Sequence, residues 1–112
     1  MIQLNKENNQ YEWSGVSLSD LAETFGTPLY VYDAATIKQQ YQKLKAAFDG
    51  VRLRLHYACK ANSNVNIMKL LKEQGAGLDA VSIEEVHLGL YAGFQPADII
   101  YTPNSVHFDE IC

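Results

Sequence analysis

The 112-residue chain lacks several features that would direct a functional reading at once. It has two cysteines, Cys59 and Cys112, far apart and with no C-x-x-C pair, which excludes a disulfide framework and a zinc knuckle; two free thiols are expected. Its three histidines, His56, His87 and His107, are widely spaced, and none has a His four residues on, so no metal is expected. No apolar run approaches the roughly 20 residues that span a bilayer. The first ten residues lack the basic-then-apolar order of a signal peptide. Basic residues cluster no further than Arg52 with Arg54 or Lys43 with Lys45, and the net charge is −4, which gives no support for a nucleic-acid or membrane partner. There is no internal repeat and no low-complexity segment. What remains is the composition of an ordinary globular protein, 47% apolar and 20% charged, expected to be cytoplasmic.

The chain divides into two parts by pattern. In the first, Ser17 caps a short helix that Gly26 closes and Pro28 cannot continue, with Leu18, Leu21, Ala22 and Phe25 on one face. Residues 29–32 are a β-rich run. Asp33 then caps a helix that reaches about Phe48, with Ile37, Tyr41, Leu44 and Phe48 on one stripe. From Val51 the rhythm becomes strand and helix in alternation. Strands are expected over 52–59, 77–81 and 98–102, and helices over 64–74 and from Ser82 to Gly93. A fourth helix starts near Phe108. Ser82 and Glu85 form a capping box. This alternation predicts an α/β fold with a parallel sheet of right-handed β-α-β units. A (β/α)8 TIM-type barrel repeats such a unit eight times in about 250 residues, so about three units here read as the N-terminal part of one. A small self-contained three-stranded domain is the alternative.

The expected strand 52–59 carries the chemistry. Alternation puts Leu53, Leu55, Tyr57 and Cys59 on the face toward the helices. Arg52, Arg54, His56, Ala58 and Lys60 take the other face, so Lys60 points inward at the carboxyl end of its strand, where barrel active sites sit. A partly desolvated lysine there has a free amine able to attack a carbonyl. A lone lysine at a strand end is, on general grounds, more often a solvated terminus. Asp79, on the second strand and flanked by apolar residues, has a parity that sets it near Lys60 or Arg54. It either neutralises a buried cation or pairs only with Arg54 for structure. Glu84 and Glu85 are explained by their place in the first turn of a helix, and His56 and Cys59 by packing.

The segment from His56 through Tyr57, Ala58, Cys59, Lys60 and Ala61 to Asn62 resembles the cofactor segment of the alanine-racemase-fold decarboxylases. That group depends on pyridoxal 5'-phosphate and includes the diaminopimelate, ornithine and arginine decarboxylases. Three more segments agree in order and spacing: Gly26–Asp33, Gly75–Ser82 followed by Glu85, and Ala92–Phe94 with Pro96, Ile99 and Ile100. Lys60-Ala61-Asn62 and the run Gly77–Ser82 look more like the diaminopimelate subgroup. Thr102–Val106 departs from the commoner glycine-containing version.

The resemblance implies that Lys60 holds the cofactor and that an amino acid loses CO2. In the diaminopimelate subgroup, meso-2,6-diaminopimelate gives L-lysine. It implies an N-terminal segment, 1–32, that packs with a C-terminal β-domain, a barrel part over 33–112, and a homodimer. No glycine-rich phosphate loop or acidic partner for the pyridine nitrogen can be assigned, and residues 1–112 alone are expected to be inactive. A silent regulatory homologue and a single-domain pyridoxal-phosphate carrier are the readings from other classes. The segment before Leu29 and the run Gly77–Ser82 speak against the carrier.

Overall fold

The computed structural model describes residues 2–7 and 9–111, and two compact units divide the chain, residues 1–36 and 37–112. Cys112, expected as a free thiol, lies outside the described residues.

The first unit opens with an antiparallel meander, β1 (Ile2–Asn5), β2 (Gln10–Trp13) and β3 (Val16–Ser17). The sequence reading had no counterpart for it. Its signal is the pair Ser14-Gly15 between the partners Trp13 and Val16, with φ +53° and +79°. Two consecutive positive φ values are what a two-residue hairpin turn of the right twist requires. Helix α1 (Leu18–Phe25) follows, capped as expected, with the Asp20 N–H donating to Ser17 Oγ at 3.2 Å. Its apolar face is only partly used, and Phe25 remains 69% exposed. The β-rich run 29–32 forms no strand. Its residues have β propensity, but a strand exists only through a ladder, and among the described residues none pairs with this segment. Asp33 ends the unit as an N-cap. Its Oδ1 accepts the Ala35 N–H at 3.0 Å, and Oδ2 accepts the hydroxyls of Thr36 at 2.6 Å and Ser14 at 2.8 Å.

The second unit contains most of α2 (Ala34–Ala46) and a parallel sheet of β4 (His56–Ala58), β5 (Gly77–Ala80) and β6 (Ile99–Tyr101), ordered β4-β5-β6. Between them lie α3 (Val65–Glu73) and α4 (Ile83–Tyr91), and α5 (Phe108–Ile111) follows. On the α2 stripe, Leu44 and Phe48 stay about half exposed. Strand β4 is shorter than expected: residues 52–55 lie outside the ladder, although the Gly77 N–H still donates to the Leu55 carbonyl at 2.9 Å. Arg54 is drawn instead into an ion pair with Asp98 at 2.5 Å.

The core lies between the sheet and its crossover helices. Cys59, Met68, Leu78, Ala80, Ala92 and Phe94 are buried together, with Tyr57, Val65, Val86, Leu88 and Ile99 packed on them. Full burial of a side chain such as Met68 or Leu78 contributes about 1.5–3 kcal/mol. Helix α4 comes close to β5 because Gly89 has no side chain. A Cβ there would stand 2.3 Å from Leu78 Cδ2 and 3.3 Å from Ile99 Cδ1. Among the described residues no helix is long and apolar enough to cross a membrane.

Candidate functional site

Strand register fixes the two faces of the sheet. Tyr57, Leu78 and Ile99 align across it and meet the helices. Ala58, Asp79 and Ile100 align on the opposite face, one step further along. His56 shares that face and stands opposite Gly77, whose Cβ would fall 2.3 Å from His56 Cδ2. The imidazole therefore occupies the space above Gly77, in agreement with its reading as a packing residue.

After Ala58 the chain leaves the ladder and tightens into a one-turn 3-10 helix, Cys59–Ala61. The Asn62 N–H closes the turn on the Cys59 carbonyl at 3.0 Å, and the Tyr57 hydroxyl donates to the Asn62 carbonyl at 2.7 Å. Lys60 sits at the middle of this turn, exposed, and among the described residues its side chain makes no hydrogen bond or ion pair. Strand alternation does not govern its direction, as the expected strand to residue 59 implied. The turn does, and the turn is set by its neighbours. Asn62 and Asn64 continue as caps, their Oδ1 atoms accepting the N–H groups of Asn64 and Asn66 at 3.0 and 2.9 Å, and α3 starts from there.

Cys59 is wholly buried. Its Sγ lies 3.4 Å from the Asp79 carbonyl oxygen and 3.2 Å from Glu85 Oε2, with the thiol as donor. Burial first, then the Glu85 hydrogen bond and negative charge, push the thiol up to about 12. It stays protonated at neutral pH, so it is a poor nucleophile. Glu85 departs from the simple capping box. Its N–H donates to Ser82 Oγ at 3.3 Å, but its carboxylate accepts the Val81 N–H at 2.8 Å rather than that of Ser82. Glu84 is held below the usual carboxylate range by its own backbone N–H and then by Ser82, as expected at a helix start.

Asp79 Oδ1 accepts the Thr102 hydroxyl at 2.7 Å. The alternative that paired Asp79 with Arg54 is corrected, since the Arg54 guanidinium is engaged by Asp98. Among the described residues Asp79 has no ion pair. Lys60 and Asp79 are nonetheless brought to one edge. Lys60 lies two residues past Ala58, the register partner of Asp79, and the Sγ of Cys59 stands 3.4 Å from the Asp79 carbonyl oxygen. Sequence reasoning missed Thr102 because its hydroxyl follows β6, 23 residues from Asp79, and only the ladder joins them. An amine, a carboxylate and a hydroxyl at the carboxyl ends of parallel strands form a polar site where such folds bind ligands.

Comparison with protein families matches residues 34–111 to the pyridoxal-binding domain of the pyridoxal-dependent decarboxylases. The chain belongs to that family. It is 46% identical over 99 residues to the diaminopimelate decarboxylase of Methanothermobacter thermautotrophicus, covering 87% of this chain and 23% of that protein. The diaminopimelate decarboxylase of Aquifex aeolicus is 44% identical over 108 residues, covering 89% of this chain and 25% of that protein. Among solved structures, the diaminopimelate decarboxylase of M. jannaschii in complex with L-lysine superimposes with a TM-score of 0.89 at 31% identity, covering 99% of this chain and 26% of that one. The chain thus spans about a quarter of the length of the relatives it matches. The parallel sheet with its crossover helices is the first part of the alanine-racemase-fold barrel of these decarboxylases.

Proposed function

We propose that this chain supplies the cofactor-anchoring lysine, Lys60, to a pyridoxal-phosphate-dependent enzyme that decarboxylates meso-2,6-diaminopimelate to L-lysine and CO2. The observation that carries the reading is the uncommitted amine of Lys60, in a bonded turn at the carboxyl edge of the sheet whose next strand carries Asp79. The named relatives support the substrate, and the L-lysine in a solved relative matches the product of that reaction.

The residues present fit the cofactor's chemistry. An aldehyde requires a primary amine with no competing partner, and Lys60 Nζ answers that requirement. When bound, pyridoxal phosphate supplies the electron sink that stabilises the negative charge left by departing CO2. Around it, Lys60 holds the group, Asp79 offsets positive charge at the strand ends, and Thr102 fixes the direction of that carboxylate. Ala58, the register partner of Asp79, is small. The phosphate and pyridine-nitrogen partners would come from elsewhere in the protein, and a second copy completing the site is part of the same proposal.

Borohydride reduction of the intact holoenzyme should leave a pyridoxyl mass on the peptide containing Lys60, and Lys60→Ala should abolish both label and CO2 release. Specific activity should be highest on meso-diaminopimelate among that compound, ornithine, arginine and lysine. A label on another lysine would overturn the anchoring role. A clear preference for ornithine or arginine would overturn the substrate and leave the cofactor chemistry standing.

A further inference from the structure

Glu85 is the third residue of α4, and its carboxylate reaches back out of the helix. One oxygen, Oε2, accepts both the Val81 N–H at 2.8 Å and the Cys59 thiol at 3.2 Å. Val81 directly follows β5, and Cys59 opens the turn after β4. A single carboxylate oxygen therefore joins the end of one strand, the start of a helix and the turn that carries Lys60. Cys59 has no exposed surface, so water does not compete for its thiol. An apolar side chain at this position would have no need for a carboxylate, whereas the thiol adds a directional bond. The Lys60 side chain makes no hydrogen bond or ion pair among the described residues, so its direction depends on what its neighbours grip: Tyr57 through Asn62 on one side, Glu85 through Cys59 on the other.

The geometry points to Glu85 and Cys59 as a pair of positioning residues that fix the turn carrying Lys60 and so present its amine to the cofactor's aldehyde. The inference rests on the reading of Lys60 as the anchor. The thiol of Cys59, held protonated, keeps its donor role through the working pH range.

The test uses the intact enzyme stripped of cofactor and given back pyridoxal phosphate. Two quantities are followed: the rate at which borohydride-trappable label arises on Lys60, and the pH profile of the bound cofactor's absorbance. Cys59→Val and Glu85→Leu, which removes the acceptor, should each slow labelling by about tenfold, the scale of coupling between side chains in contact, and the double variant should be no slower than either. Both should shift the absorbance profile, which a purely structural loss would leave in place. Cys59→Ser, which keeps a donor, should restore most of the rate. Labelling of Lys60 at the parent rate in both variants, or slowing that multiplies in the double variant, would overturn the pairing. If Glu85→Leu does not fold, Cys59→Val against Cys59→Ser decides. Label on a lysine other than Lys60 in the parent would instead overturn the anchoring itself, and this inference with it.

Discussion

Thr102 donates its hydroxyl to Asp79 Oδ1 at 2.7 Å, and this bond ties the residue after β6 to the third residue of β5. The carboxylate is thereby oriented on the face that also carries Ala58, the register partner two residues before Lys60. If Asp79 serves the cofactor, its direction matters as well as its charge. Thr102→Val keeps the shape and removes the donor, so it should weaken pyridoxal phosphate binding by the worth of one hydrogen bond, about 0.5–1.5 kcal/mol. Asp79→Asn should weaken it further. Fluorescence titration of the cofactor-free enzyme measures both. Equal affinity in Thr102→Val and parent would remove Thr102 from the site.

The contact of α4 with β5 predicts a sharp penalty at Gly89. Alanine is the better helix former, by about 0.8–1.0 kcal/mol. Its Cβ would nonetheless meet Leu78 Cδ2 at 2.3 Å, in the middle of the core. Gly89→Ala should lower stability by about 1–3 kcal/mol, the usual cost of overpacking. The urea midpoint reports it, and Leu78→Val in the same chain should recover part of the loss. A stabilised Gly89→Ala would mean that α4 can draw back from the sheet.

Cys59 gives the protein an alkaline limit. The folded thiol is raised from 9.0 to about 12, so between those values the unfolded chain binds fewer protons than the folded one. Its contribution to stability is complete below about pH 9 and falls as pH rises toward 12. Unfolding midpoints measured at pH 8 and near pH 10.5 should fall less in Cys59→Val than in the parent. Parallel loss in the two proteins would show that the thiolate is not what the folded state resists.

Asp33 acts at the other end of the pH scale. The Thr36 hydroxyl first, and then that of Ser14, hold its carboxyl below the ordinary 3.8. The stabilisation is present above that value and lost as pH falls through the lowered folded value. Asp33→Asn keeps a capping oxygen without the charge, so its stability should vary less between pH 5 and pH 3 than the parent's. Thermal melts at the two pH values decide it. An unchanged slope would assign the acid sensitivity to other carboxylates.

The order of strands and helices from Val51 onward was readable because each unit announces itself locally. Asn64 and Ser82 cap helices, and apolar residues recur at helical or strand spacing between them. Lys60 could be singled out for the same reason, as one amine in a short run with a recognisable neighbourhood, and its anchoring role is what we propose. Hydrogen bonding between distant segments was not. Whether residues 29–32 become a strand depends on a partner, and none of the described residues supplies one. Arg54 chose Asp98, 44 residues away, over Asp79, and Asp79 took Thr102 instead. Cys59, by parity a mere packing residue, became the link between Glu85 and the lysine-bearing turn. Local sequence fixes which backbone groups need caps and which side chains are apolar. Only the assembled sheet brings donors and acceptors tens of residues apart within 3.5 Å, and at those distances the site acquires its directions.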